Sequence, residues 1–235
     1  MPAQIPPEAQ SIGRARGRLS ASSLTTFLRC EKQWFLNYRI GLRGPLSPHQ
    51  VMGIEVEDAF CSILMHRAPV VSSFEELQSW LFGLVEENAR SALDKGKSTF
   101  DDALWSEGDF DDFFNIELVS EMLRNGISLQ LEEVKSCYEA GGGDFEFDIP
   151  APCWDSPPHF TQPSKANSMV SWKDEAHQFS EEITWQDAWE IARPWVKDPR
   201  NPEPQRMYHP ERWAAGECDL VLRWDGRVRI IDIKM

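Results

Sequence analysis

The closing stretch "GECDLVLRWDGRVRIIDIKM" holds the residues whose types and spacing can do chemistry. Asp225-Gly226 lies between two apolar-rich, β-branched runs, a strong short-range signal for a hairpin with a two-residue turn. With that turn, Trp224 faces Arg227, and counting outwards puts Asp219 opposite Asp232. Residues opposite each other in an antiparallel pair share a face, with Cβ atoms about 4.5–5.5 Å apart. Lys234 is on that face too, since side chains alternate with period two, and its predicted partner is Glu217. Ile231 and Ile233 take the other face, where they are expected to anchor the strand to a core.

Two like charges directly opposite destabilise a sheet. A cation bound by both carboxylates removes that cost, and hard oxygen ligands suit Mg²⁺ or Mn²⁺. Such an ion can polarise a phosphoryl oxygen and lower the pKa of a bound water. A lysine beside it can hold that water or neutralise charge building on a pentacoordinate phosphorus. Asp219, Asp232 and Lys234 thus read as the parts of a site for metal-assisted phosphodiester hydrolysis. The bland alternative is a solvated hairpin with two incidental acids and a salt bridge. The register separates the two readings, because unrelated acids need not face each other, and it rests on the turn having two residues.

The elements that must position these residues are mostly helical. A helix is predicted from Ser20 or Ser22, with Leu24, Phe27, Leu28, Trp34, Phe35 and Tyr38 as its apolar stripe and Gly41, Gly44 and Pro45 ending it. A second covers about 51–66, with Val56, Ala59, Phe60, Ile63 and Leu64 on its apolar face. A third starts at Ser73, where Ser73 and Glu76 fit a capping box, and runs to Lys95-Gly96. A fourth spans about 110–139. "DFEFDIP" alternates as a strand, proline-rich residues 151–180 read as a long loop, and a short helix is expected over about 184–196.

Bulk properties bound the function classes. The chain has 235 residues, 41% hydrophobic and 26% charged, an ordinary globular composition. No apolar run approaches the roughly 20 residues of a membrane span, and "MPAQIPPEAQSIGRARGR" lacks a secretory apolar core. Residues 1–18 read as a disordered arm carrying Arg14, Arg16 and Arg18. Five scattered cysteines with no C-x-x-C pair fit a reduced, intracellular, cytoplasmic protein. The five histidines form no ligand pair, against a zinc site. A net charge of −14 argues against a basic nucleic-acid coat protein and requires any DNA contact to be focused.

At these residues the chain resembles the PD-(D/E)XK nuclease superfamily, most closely its RecB-like branch. "LSASSLTTFLRCEKQWFLNYRIGL" looks like that branch's opening helix, and "GECDLVLRWDGRVRIIDIK" like its G-x-x-D, strand, turn, strand, D-x-K core. The match makes Asp219 the first core acid, Asp232 the second and Lys234 the catalytic lysine. "MGIEVEDAF" resembles the family's Gly-x-x-x-His helix, whose histidine is a metal ligand; counting from Gly53, the position is Glu57, which can ligate the same ion. The resemblance implies Glu57, Asp219 and Asp232 as metal ligands. The other reading of Glu57 is a surface acid beside Glu55 and Asp58. Some relatives hold an iron–sulfur cluster with one cysteine from the opening helix and three near the C-terminus. Cys30 matches the first, but no three-cysteine set follows, so a cluster is not supported by the residues present.

The implied fold is α/β: a mixed central sheet flanked by helices, with the hairpin at its centre. One nuclease domain over 19–235 is expected, with a large helical insertion at about 67–140 and a flexible loop at about 151–180. The family places a further helix after the lysine, so the chain is expected to be incomplete at its C-terminus. The implied function is a metal-dependent DNA nuclease, a RecB-like exonuclease of DNA repair or processing, with DNA as substrate. A helicase or other repair-complex subunit is the implied protein partner, and no membrane is involved. The alternatives are a non-catalytic DNA-binding or scaffold module retaining the nuclease fold, and an unrelated α/β protein with a chance match.

Overall fold

The computed structural model describes residues 20–42, 46–101, 114–142, 182–193, 195–197, 199, 207–208, 215–216, 218–222 and 229–234. The arm at 1–18, the expected strand at 144–150, the loop at 151–180, Glu217 and the turn residues Asp225 and Gly226 lie outside them. The chain divides into two compact units. One comprises Met1–Pro45, Ala151–Gln162 and Arg206–Glu217; the other comprises Leu46–Pro150, Pro163–Gln205 and Cys218–Met235.

In the first unit, α1 (Ala21–Arg29) begins as predicted, with the Ser20 hydroxyl accepting the Ser23 N–H. The predicted single helix then breaks at Cys30, whose backbone is extended at φ −161°. Its N–H still closes α1 on Thr26, while its sulfur accepts the Gln33 N–H and caps α2 (Glu31–Trp34). A π-helical stretch, Phe35–Ile40, follows and ends at Gly41, whose φ of 82° favours glycine. Trp34 ties the two helices, donating from Nε1 to Ser23 Oγ at 2.8 Å and meeting Phe27 edge-on. The predicted stripe is not a buried one: Leu24, Phe27, Leu28 and Phe35 are exposed. Two short strands, β2 (Met207–Tyr208) and β3 (Ala215–Gly216), pair antiparallel in this unit.

The second unit is built on helices. α3 (Pro48–Leu64) starts with a capping box between Ser47 and Gln50 and with proline in its first turn. α4 (Phe74–Gly83) starts at Ser73, whose hydroxyl accepts the Glu76 N–H as predicted, although Glu76 returns its bond to Ser72 instead. The predicted third helix is in fact two, since Leu84 interrupts it before α5 (Val85–Asp101). α6 (Ile116–Glu139) and α7 (Trp185–Ile191) complete the set. Met52, Val56, Phe60 and Ile63 of α3, Leu77 and Leu81 of α4, and Leu123, Ile127 and Leu131 of α6 meet in one core. At roughly 1.5–3 kcal/mol for each large buried apolar side chain, this helix-on-helix packing dominates the unit's stability. Trp189 of α7 is fully buried against it, with its indole N–H on the His66 carbonyl at 2.9 Å.

The expected α/β architecture is not what forms. The described residues are 70% helical, and the strands run to two or three residues each. In the second unit β1 (Trp195–Val196), β4 (Leu220–Leu222) and β5 (Arg229–Ile231) form a small sheet in the order β1-β4-β5, and every described pairing is antiparallel. A mixed central sheet needs a parallel pair and strands long enough to carry a core on both faces. Here α3 and the helices expected as an insertion together supply most of the core, and the sheet contributes little beyond Val196, Leu220 and Ile233. The other expected anchor, Ile231, is 38% exposed, against 6% for Ile233.

Candidate functional site

The small sheet has a register that decides where the charged residues fall. Leu220 pairs with Ile231, Val221 with Ile230 and Leu222 with Arg229, the register that a two-residue turn at Asp225-Gly226 requires. One step beyond Leu220 and Ile231, Asp219 stands opposite Asp232. On the other side of β4, Val196 pairs with Leu220, and one step on, the Lys197 N–H donates to the Asp219 carbonyl at 2.8 Å. Lys197, Asp219 and Asp232 therefore form a row across three neighbouring strands. A bidentate pair between Arg229 and Glu133 of α6, both bonds at 2.9 Å, fixes β5 to the helices.

α3 brings Glu57 and Asp58 to this row. Glu57 sits at the margin of the helix's apolar face, one residue after the buried Val56 and one turn before the buried Cys61. Lys197 donates from Nζ to Glu57 Oε1, and the same ammonium lies 3.7 Å from Asp219 Oδ1 and 3.8 Å from Asp58 Oδ1. Asp219 is buried, and its Oδ2 accepts the Ile233 N–H at 2.9 Å. Asp232 and Lys234 form an exposed outer edge, with Lys234 Nζ donating to Asp232 Oδ1 at 2.7 Å. Glu217, the partner first expected for Lys234, is outside the described residues.

The electrostatics follow from burial and neighbours. Burial pushes the Asp219 carboxyl above its ordinary value, and Glu57 and Asp232 add to this; the Ile233 N–H and Lys197 oppose it without winning. Asp232 moves the other way, held low chiefly by its hydrogen bond from Lys234. The two carboxyls are thus driven apart, the buried one upwards and the outer one downwards. Burial works against charge on Lys197, but the hydrogen bond and charge of Glu57, with Asp219 beyond, outweigh it and hold the ammonium above its ordinary value. Buried Cys61 is pushed up by desolvation, so it is a packing thiol at the floor of the site.

No family model, no curated protein and no solved structure matches the chain. No helix among the described residues is long and apolar enough to cross a membrane.

The residues singled out in the sequence, Glu57, Asp219, Asp232 and Lys234, are brought to one place. Lys197 and Asp58 were missed. Lys197 follows directly on the helix expected over about 184–196, whereas α7 ends at Ile191 and the chain turns into β1. The signal was Pro194, which does not continue a helix. Four carboxylates around a site match the hard oxygen ligands of Mg²⁺ or Mn²⁺ in chemistry. Their placement is set for an ammonium: Lys197 takes the position between Glu57 and Asp219, and among the described residues no group of three or more His, Cys, Asp or Glu is arranged to hold a metal ion. Glu57, Asp219 and Asp232 are the residues that would hold such an ion.

Proposed function

We propose that the chain is a metal-dependent hydrolase of DNA phosphodiester bonds, with its chemistry at Asp219, Asp232 and Lys234 and with Glu57 as a further ligand. The observation that carries this reading is the row that sets Asp219 against Asp232 beside Lys234, with Glu57 arriving from a helix far away in sequence. It is also the arrangement that the RecB-like resemblance assigns to these four positions, and relationship to that branch is part of the proposal. The ion would polarise a phosphoryl oxygen and make a bound water more acidic. Lys234 is exposed and oriented by Asp232, so it can meet an incoming phosphate oxygen and offset its charge. Asp232, held low by Lys234, favours the ionised form that a metal ligand needs, while buried Asp219 is anchored to Ile233 and keeps the row in register.

The test is cleavage of linear single- and double-stranded DNA with Mg²⁺, Mn²⁺ or EDTA. Cleavage is expected only with metal, and to fall by about 100-fold or more in Asp232→Ala and in Lys234→Ala. A folded protein that leaves both DNAs intact, or cleavage untouched by either substitution, would remove the proposal. One observation favours a second reading, a non-catalytic DNA-binding or scaffold module: the ammonium of Lys197 already neutralises the inner carboxylates. That reading predicts DNA binding without metal and no cleavage under any of these conditions.

A further inference from the structure

The position of Lys197 carries an inference beyond the reaction itself. Its backbone is fixed by the β1–β4 pairing and by its own N–H on the Asp219 carbonyl. Its side chain is buried, and its Nζ is shared among Glu57, Asp219 and Asp58. Two of these carboxylates, Glu57 and Asp219, are ligands of the divalent ion in the proposal above. An ammonium and a metal ion cannot both stand between them, because two cations at that spacing would repel in a poorly screened interior.

We propose that Lys197 is a tethered counter-ion that competes with the divalent cation for Glu57 and Asp219, so that the inner site holds either the ammonium or the metal. This rests on the reading of the site as one for a divalent cation. Without metal, the lysine keeps two adjacent carboxylates from facing each other unpaired, which would be strongly destabilising in a buried position. With metal, the lysine has to leave, and its departure weakens apparent metal affinity. The enzyme would then be stable in the absence of metal and would load only above a threshold concentration that Lys197 sets.

The test is Mn²⁺ binding by the full chain, followed by the spectroscopic signal of the free ion, in the wild type and in Lys197→Met. The variant should bind Mn²⁺ tighter by about tenfold or more, because it no longer breaks an ion pair to do so. Its melting temperature should be lower than that of the wild type in EDTA and should recover with Mn²⁺. A second measurement needs no variant: acylation of the Lys197 amine in the wild type, followed by mass spectrometry, should accelerate on adding Mn²⁺ as the ammonium is expelled. Equal or weaker Mn²⁺ binding in folded Lys197→Met, or Lys197 acylation indifferent to bound Mn²⁺, overturns the competition and leaves the metal site standing. Absence of Mn²⁺ binding in both proteins overturns the metal site, and the competition with it.

Discussion

Asp219 joins two roles that substitutions can separate. One oxygen accepts the buried Ile233 N–H at 2.9 Å, and the other faces Lys197 at 3.7 Å. Asp219→Ala removes both and leaves a buried N–H without a partner, which costs about 1–3 kcal/mol. Asp219→Asn keeps an oxygen for Ile233 and removes a charge that burial already penalises, so its loss should be under about 1 kcal/mol. The Lys197 contact separates the variants little, since Glu57 still holds the ammonium in both. Urea unfolding in EDTA at neutral pH should therefore rank wild type and Asp219→Asn close together, with Asp219→Ala clearly below them. The pH dependence sharpens the test. Because the Asp219 carboxyl sits above its ordinary value of 3.8, the folded chain keeps that proton where the unfolded chain has released it. Its contribution is complete below 3.8 and is lost as pH rises through the folded value. The asparagine variant lacks this term, so it should gain on the wild type as pH rises above 3.8, until the folded carboxyl has ionised. Equal losses in the two variants, or a gap that does not move with pH, would refute both the anchoring hydrogen bond and the burial of the charge.

Two further outcomes follow from the helical core. Arg193 is fully buried, with Nη2 on Glu190 Oε1 at 2.6 Å, its guanidinium 4.5 Å from the centre of the Trp189 ring, and Nε and Nη1 without a partner among the described residues. Burial lowers it to about 10 despite Glu190. Arg193→Met and Glu190→Leu should each cost about 3–5 kcal/mol while the double variant returns to within about 2 kcal/mol of the wild type; additive losses in urea melts would count against the buried pair. Exposed Cys30 should react with a thiol reagent in the native state, whereas buried Cys61 and Cys137 should react only on unfolding. Burial pushes the Cys137 thiol up from 9.0 to about 12, and Cys61 higher still, so both contribute stability below pH 9 that is lost as pH rises beyond it. Rapid native labelling of Cys61 or Cys137 would contradict their burial.

What the sequence determined by itself is the local chemistry of the hairpin and the helix starts. The two-residue turn expected at Asp225-Gly226 predicts the pairing by counting alone, and the observed pairs Leu220–Ile231 and Leu222–Arg229 have that register. Ser20 and Ser73 cap their helices through hydroxyls that reach a backbone N–H three residues on, an interaction complete within one turn. The periodicity of about 51–66 and about 110–139 marked the apolar faces of α3 and α6, although α6 begins only at Ile116.

The tertiary structure decided the rest, because it depended on partners that no local pattern names. Whether the hairpin lies in a mixed sheet or beside a helical core turns on how much apolar area each element buries, and the helices bury more. Ile231 and Ile233 are alike in sequence, yet only Ile233 reaches the core. Cys30 breaks a helix whose spacing runs straight through it. Most of all, Lys197 meets Glu57 across the fold, and that contact exists only because β1 pairs with β4 while α3 packs nearby. The carboxylates were legible as a place for a cation, but only the packed chain shows that it brings a cation of its own.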